Sequence, residues 1–189
     1  MQDHSYQDIR DAVRALCAKF PDEYHRKVDE QRAYPEAFVH ALTNAGWLAA
    51  LIPQEYGGSG LGILDTVLVL EEIGKVCYVT AMAVLGEVGV QCRIISTYAP
   101  EAIKRKILPR VASGEAILAI CMTEPNAGTD VPNYTTNTVV KGDRVTVNGR
   151  KTLISRADIA EMFVVSVPVV GSVTPILCRR NSPLAILGR

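Results

Sequence analysis

The period of the apolar residues changes near Gly114, and that change restricts the chain to a helical half followed by a stranded half. Up to Ser113 the apolar side chains recur every three or four residues. Ile9, Val13, Leu16 and Phe20 give a first helix one inward face, with Pro21 closing it. Pro35 suits the first turn of a second helix carrying Phe38, Leu42 and Ala45, and Gly46 suits a left-handed cap at its end. Trp47 to Pro53 reads as an extended run into a turn. Asp65 to Val76, and Thr80 to about Tyr98, are apolar almost all round, which predicts helices buried within a bundle. Glu87, Gln91 and Arg93 interrupt the second run too often for a membrane span. Pro100 opens a last helix striped by Ile103, Ile107, Leu108 and Val111, whose final turn Pro109 is expected to bend or shorten.

Beyond Glu115 the pattern favours short strands punctuated by turn residues. Ile117 to Met122 forms one run, and Val139 to Lys141 with Arg144 to Val147 flank Gly142-Asp143, a connection suited to a tight hairpin. Asn148-Gly149 predicts a second turn, and Lys151 to Ser155 a further strand. Met162 to Val167 and Thr174 to Cys178 continue the series, with Pro175 at a strand start or edge, and Leu184 to Leu187 reads as a last strand. The expected class is therefore α+β: an all-α domain over residues 1–115, then an antiparallel β-sheet or barrel domain over residues 116–189.

Composition excludes classes of function rather than selecting one. Zero formal net charge, from 20 basic and 20 acidic side chains, leaves no electrostatic footprint for nucleic acid or an anionic membrane. The five cysteines are scattered, odd in number and never in a C-x-x-C pair, which argues against a disulfide framework or zinc site. His4, His25 and His40 lack ligand spacing, so no metal is expected. Met1 to Ser5 carries neither an apolar export segment nor an organelle-type presequence, and a cytoplasmic location is the default.

Two glycine-containing segments invite a chemical reading. Gly57-Gly58-Ser59-Gly60-Leu61-Gly62 fails the dinucleotide pattern, which from Gly58 requires glycine where Ile63 stands, and no Gly-Lys-Ser/Thr follows for a phosphate loop. It reads as a packing turn. Thr123-Glu124-Pro125-Asn126-Ala127-Gly128-Thr129-Asp130 is more specific. Glu124 precedes proline and is biased toward an extended conformation, and the segment leaves backbone N–H groups and the Thr123 and Thr129 hydroxyls to bind something flat and polar.

The order of several motifs resembles that of the acyl-CoA dehydrogenases. Ile52-Pro53-Gln54-Glu55-Tyr56-Gly57-Gly58 is similar to part of that family's helical domain, and Leu108-Pro109-Arg110-Val111-Ala112-Ser113-Gly114-Glu115 to the segment leading into its β-domain. Thr123-Glu124-Pro125, Ala127-Gly128-Thr129-Asp130, Asn148-Gly149-Arg150-Lys151 and Ile154-Ser155 are similar to its flavin-site motifs, in the same order. The resemblance implies an FAD enzyme that removes the α-proton of an acyl-CoA thioester while the flavin accepts hydride from the β-carbon, yielding a trans-2-enoyl-CoA. It also implies an electron-transferring flavoprotein as acceptor, and a homo- or hetero-oligomer. By position, Met122 and Thr123 contact the pyrimidine side of the isoalloxazine, Ser155 supplies a second flavin-contacting hydroxyl, and Thr129 touches the CoA portion of the substrate.

Two departures from the family pattern stand out. Leu153 occupies a flavin-binding position where an aromatic is usual, which replaces stacking by aliphatic packing. The sequence ends at Arg189, before the family's third, helical domain and its catalytic glutamate, so no catalytic residue is assigned. Glu124 matches a structural glutamate of the loop, and solvated or ion-paired roles are expected for Glu71, Glu72 and Glu87. The leading expectation is a portion of an FAD-dependent acyl-CoA dehydrogenase. The alternatives are a non-catalytic half-length partner of a complete dehydrogenase and an acyl-CoA oxidase-like flavoenzyme, and apolar surface left uncovered predicts self-association or a protein partner.

Overall fold

Ile9, Val13 and Cys17 lie four residues apart, so a helix places all three on one face, and α1 (Tyr6–Cys17) buries all three. The structure is a computed structural model that describes residues 6–84, 89–142, 144–169, 172–180 and 185–186. Met1 to Ser5, Glu87, Asp143, Leu184 and Leu187, singled out in the sequence, lie outside the described residues. After α1 come α2 (Asp22–Glu30), α3 (Glu36–Asn44), α4 (Ile63–Val76), α5 (Tyr78–Val84), α6 (Cys92–Tyr98) and α7 (Glu101–Ala112). Periodicity misses α2 because it buries nothing. Gly46 does take a left-handed φ of 78°, but Trp47–Ala49 is a 3-10 turn rather than extended chain, and it buries Leu48 and Ala49. Pro109 neither ends nor shortens α7, which continues to Ala112.

The glycine-rich loop is structural. Gly60 donates to the Ile52 carbonyl (2.9 Å) and Ser59 to that of Ala49 (3.0 Å), folding the loop back onto the preceding turn. A Cβ on Gly58 would collide with the Ile52 carbonyl, so this close approach requires glycine.

Two apolar clusters organise the molecule. One joins α1, α3 and α4 through Val13, Phe38, Leu42, Val69 and Ile73. The other packs Cys92, Ile95, Ile107, Leu108 and Val111 of α6 and α7 against Leu118, Met162, Val164 and Leu177 of the sheet. The helical and stranded parts therefore share a core. Arg110 of α7 reinforces the junction by donating to Glu161 (2.7 Å).

A four-stranded sheet has the order β1 (Leu118–Cys121), β4 (Met162–Val169), β5 (Ser172–Arg179), β6 (Ala185–Ile186), and a separate hairpin joins β2 (Asn137–Lys141) to β3 (Arg144–Asn148). Lys141 pairs with Arg144, as the two-residue connection predicts. β1 runs parallel to β4, so the sheet is mixed rather than antiparallel, and the described strands form no closed barrel. Lys151 to Ser155 is not a strand; Leu153 has φ 56° and Arg156 φ 60°, which break extended pairing. Pro175 sits within β5 opposite Ser166 rather than at its start, and among the described residues β6 pairs only with the next two positions, Ile176 and Leu177.

The bundle is less enclosed than the sequence predicts. α4 buries Val69 and Ile73, yet Ile63, Leu64 and Val67 are exposed, as are Tyr78, Val79 and Met82 of α5. No helix of the described residues is long and apolar enough to cross a membrane.

Candidate functional site

Immediately after β1 the chain leaves the sheet at Met122 and Thr123, and a second segment, residues 149–156, returns beside it. One backbone hydrogen bond links them directly, from the Thr152 amide to the Thr123 carbonyl at 2.9 Å. Lys151 supplies the rest. Its ammonium donates to the Met122 carbonyl at 2.9 Å and to Glu124 Oε1 at 3.0 Å, and lies 3.8 Å from the centre of the Tyr134 ring. Glu124 also accepts from the Thr135 amide (2.7 Å), the Thr135 hydroxyl (2.7 Å) and the Thr136 amide (3.1 Å). Burial favours the neutral acid, but hydrogen bonds from Thr136, Thr135 and Lys151 outweigh it and hold the Glu124 carboxyl well below the usual carboxylate range.

Gly149 completes this clamp. A Cβ there would collide with Thr136 Oγ1 and lie 2.8 Å from the Thr136 Cα, so glycine is required by the crossing of the two segments. Its φ is not positive, and the turn predicted at Asn148-Gly149 is replaced by a close approach.

The clamp opens onto a cavity of about 490 Å³. Met122, Thr123, Leu153 and Ser155 all line it, with Ile120, Ile154 and Arg156 from the same side of the molecule. The opposite wall comes from the helical part: Tyr34 and Pro35 before α3, Val79, Thr80 and Met82 of α5, and Val90 and Gln91 before α6. Leu153 stands 87% exposed, with its backbone in a region that costs a leucine about 1–2 kcal/mol. Such strain persists where surrounding contacts impose it and clusters at ligand sites. Thr129 lies in an exposed loop and does not line the cavity.

Two polar atoms on the helical wall lack protein partners. The Tyr34 hydroxyl and the Gln91 side-chain oxygen are buried and have no hydrogen-bond partner among the described residues. Burial raises the Tyr34 pKa, so the hydroxyl remains a donor. Sequence reasoning missed both, because neither belongs to a local motif. Nothing local in the sequence shows that the Lys151 ammonium turns inward.

Other reactive side chains have structural explanations. Burial pushes the Cys92 thiol up to about 12 and the Cys121 thiol up to about 11, which suits inert core cysteines. Glu71 and Glu72 are ion-paired with Arg10 and Lys75, and Glu72 also with Arg14. No His, Cys, Asp and Glu cluster suited to a metal occurs among the described residues.

Comparison with known proteins places these features in context. Residues 3–115 match the family model "Acyl-CoA dehydrogenase, N-terminal domain" and residues 119–177 match "Acyl-CoA dehydrogenase, middle domain". The chain is 37% identical over 158 residues to the cyclohex-1-ene-1-carbonyl-CoA dehydrogenase of Syntrophus aciditrophicus, covering 83% of this chain and 38% of that protein. It is 35% identical to the mitochondrial isovaleryl-CoA dehydrogenase of Bos taurus, covering 81% of this chain and 37% of that protein. Among solved structures, an acyl-CoA dehydrogenase from Geobacillus kaustophilus superposes with a TM-score of 0.84 at 27% identity, over 97% of this chain and 50% of that one. A glutaryl-CoA dehydrogenase complex gives 0.91 at 24% identity over 100% of this chain and 57% of that one, a likeness of fold. The chain thus spans between about two fifths and three fifths of the length of these proteins.

Proposed function

The chain belongs to the acyl-CoA dehydrogenase family, and from that premise we propose that it forms the flavin-facing part of an FAD-dependent acyl-CoA dehydrogenase. One observation carries the reading. Met122 and Thr123 on one segment, and Leu153 and Ser155 on another, line a single cavity although some thirty residues separate them in sequence. The cavity suits a group with both polar and apolar parts, because Thr123 and Ser155 line it together with Met122 and Leu153.

In this reading Thr123 and Ser155 orient the isoalloxazine through their hydroxyls, while Met122 and Leu153 cover it with apolar surface. Bound FAD supplies the two-electron acceptance needed to oxidise the α–β bond of an acyl thioester. Donors aimed at the ring before reaction stabilise charge there without reorganising. Thr129, outside the cavity, is the candidate contact for the CoA portion. Glu124 is not assigned as the base, because its carboxylate is already engaged by four donors of the clamp. Residues 1–115 and 116–189 are proposed as the two domains, and an electron-transferring flavoprotein as the acceptor.

Titration of the purified chain with FAD, followed by calorimetry and visible absorbance, tests the proposal. Binding is expected, and Thr123→Val and Ser155→Ala should each weaken it by about tenfold. Absence of flavin binding under all conditions overturns it. Peroxide formation in air on addition of acyl-CoA redirects the assignment to an oxidase.

The exposed apolar side chains of α4 and α5 favour a second reading, in which the chain acts as a half-length partner of a complete dehydrogenase. Size-exclusion chromatography should show association with itself or that enzyme. A monodisperse monomer that ignores a complete dehydrogenase counts against it.

A further inference from the structure

A second cavity, of about 770 Å³, lies where α3, the connection from α7 to β1 and the turn at residues 155–159 meet. Its volume falls in the range of small-molecule sites, roughly 300–1,000 Å³, and such sites favour junctions between domains. Of the described residues that line it, only Tyr34 also borders the cavity proposed for flavin.

The lining has two parts. Ala37, Val39, Ile117 and Ile159 supply apolar surface. Glu36 and His40, one turn apart on α3 and both exposed, supply a polar edge. Glu36 makes no hydrogen bond or ion pair among the described residues, so its carboxylate is open to a donor. The Asn44 side-chain amide donates to His40 Nδ1 at 3.1 Å, which leaves the ring proton on Nε2 as a donor. An anionic acceptor and a donor therefore stand side by side next to apolar surface. A carboxylate in the first turn steadies α3 whatever the cavity holds, but that role needs neither the histidine nor the apolar lining.

We propose that this cavity binds a small apolar molecule that carries an ammonium group with a hydrogen-bond acceptor beside it, as an apolar amino acid does. Glu36 takes the ammonium, His40 Nε2–H donates to the acceptor, and the apolar body covers Val39, Ile117 and Ile159. An exposed ion pair contributes little by itself. Apolar contact therefore supplies most of the affinity, and the two polar groups select among apolar molecules.

Calorimetry on the ligand-free chain compares three probes of similar shape: leucine; isopentylamine, which lacks the carboxylate; and 4-methylpentanoate, which lacks the ammonium. Leucine should bind saturably at one site, about tenfold tighter than either analogue. Glu36→Gln should remove most of its advantage over 4-methylpentanoate, and His40→Phe most of its advantage over isopentylamine. Ala37→Trp fills the cavity from an exposed position and should abolish binding of all three. No saturable binding of leucine overturns the proposal, and so does binding that is the same in wild type and Ala37→Trp. Equal affinity for the three probes leaves apolar contact alone and overturns the roles given to Glu36 and His40. Circular dichroism establishes that each variant is folded, and if Ala37→Trp is not, unchanged leucine affinity in both Glu36→Gln and His40→Phe overturns the proposal. None of these measurements contains FAD, so their result is independent of the flavin reading.

Discussion

Glu72 in the helical part and Glu124 beside the cavity are both 2% exposed, both ionised and both far from neutral solvent behaviour, yet they are supported differently. Glu72 is held by Arg14, Lys75 and Arg10, whose side chains are 49%, 51% and 23% exposed. Arg10 and Arg14 reach Glu72 from α1, whereas Lys75 lies one turn along α4 itself. Glu124 is held by two backbone amides, one hydroxyl and a lysine only 9% exposed. The first arrangement ties two helices together and tolerates adjustment. The second fixes backbone positions at a cavity rim, where an ångström matters to a bound ring.

Removing the carboxylate should therefore cost most at the cavity. Glu124→Leu leaves the Thr135 and Thr136 amides without their acceptor and the Lys151 ammonium without its counter-ion, and should destabilise by about 3–5 kcal/mol in urea unfolding. FAD binding should be lost in the fraction that still folds. Lys151→Met keeps the amide contacts of Glu124 and should cost less, about 2–3 kcal/mol. If either variant matches wild type in stability and flavin affinity, the clamp is not what shapes the cavity.

The contrast also shows what could be read from residues alone. Thr123 and Ser155, which line one cavity, could be singled out as candidates because their motifs are local and ordered along the chain. The α1, α3 and α7 faces were legible because Ile9 and Val13, Phe38 and Leu42, and Ile107 and Val111 repeat at helical spacing. Lys151 read as part of a strand, since nothing local reveals that its ammonium turns toward Glu124, 27 residues earlier. Gly149 read as a turn for the same reason: the close approach to Thr136 that requires glycine is tertiary. Gln91 and Tyr34 were invisible as a pair, because only the packing of the helices on the β segments brings them to one wall. Parallel pairing of β1 with β4 was missed because alternation along a strand specifies a face and not a direction.

Acid titration separates the two carboxylates further. Hydrogen bonds led by that from Arg14 bring Glu72 down to about 2 despite burial. A depressed folded-state value means that its stabilisation is complete above the unfolded-state carboxylate range, near 4.5, and is lost as pH falls toward 2. Glu124 shifts the same way, so its contribution too is lost as pH falls below the unfolded-state carboxylate range. Urea midpoints measured between pH 7 and pH 2 should thus decline below about pH 4.5. Glu72→Gln should cost about 1–2 kcal/mol at pH 7, discounted for its exposed partners, and flatten the decline without changing flavin affinity. An unchanged acid profile in this variant would show that the ion pairs contribute nothing measurable.

The smallest effect is expected at Leu153, which follows the clamp in sequence and lines the cavity. Its φ is 56°, it follows Lys151 and Thr152, which the clamp holds, and its side chain gains little from packing because it is mostly exposed. Glycine adopts that conformation without steric penalty but has more freedom to lose on folding. Leu153→Gly should therefore raise stability by only about 0.5–1 kcal/mol, measured by urea unfolding of the ligand-free chain. The same change should weaken flavin binding, because it removes apolar cover from the ring. Opposite signs in the two measurements identify a residue strained for its ligand. A loss in both would instead mean that Leu153 supports the fold, and the division between a tolerant helical anchor and an exacting cavity rim would not extend to this position.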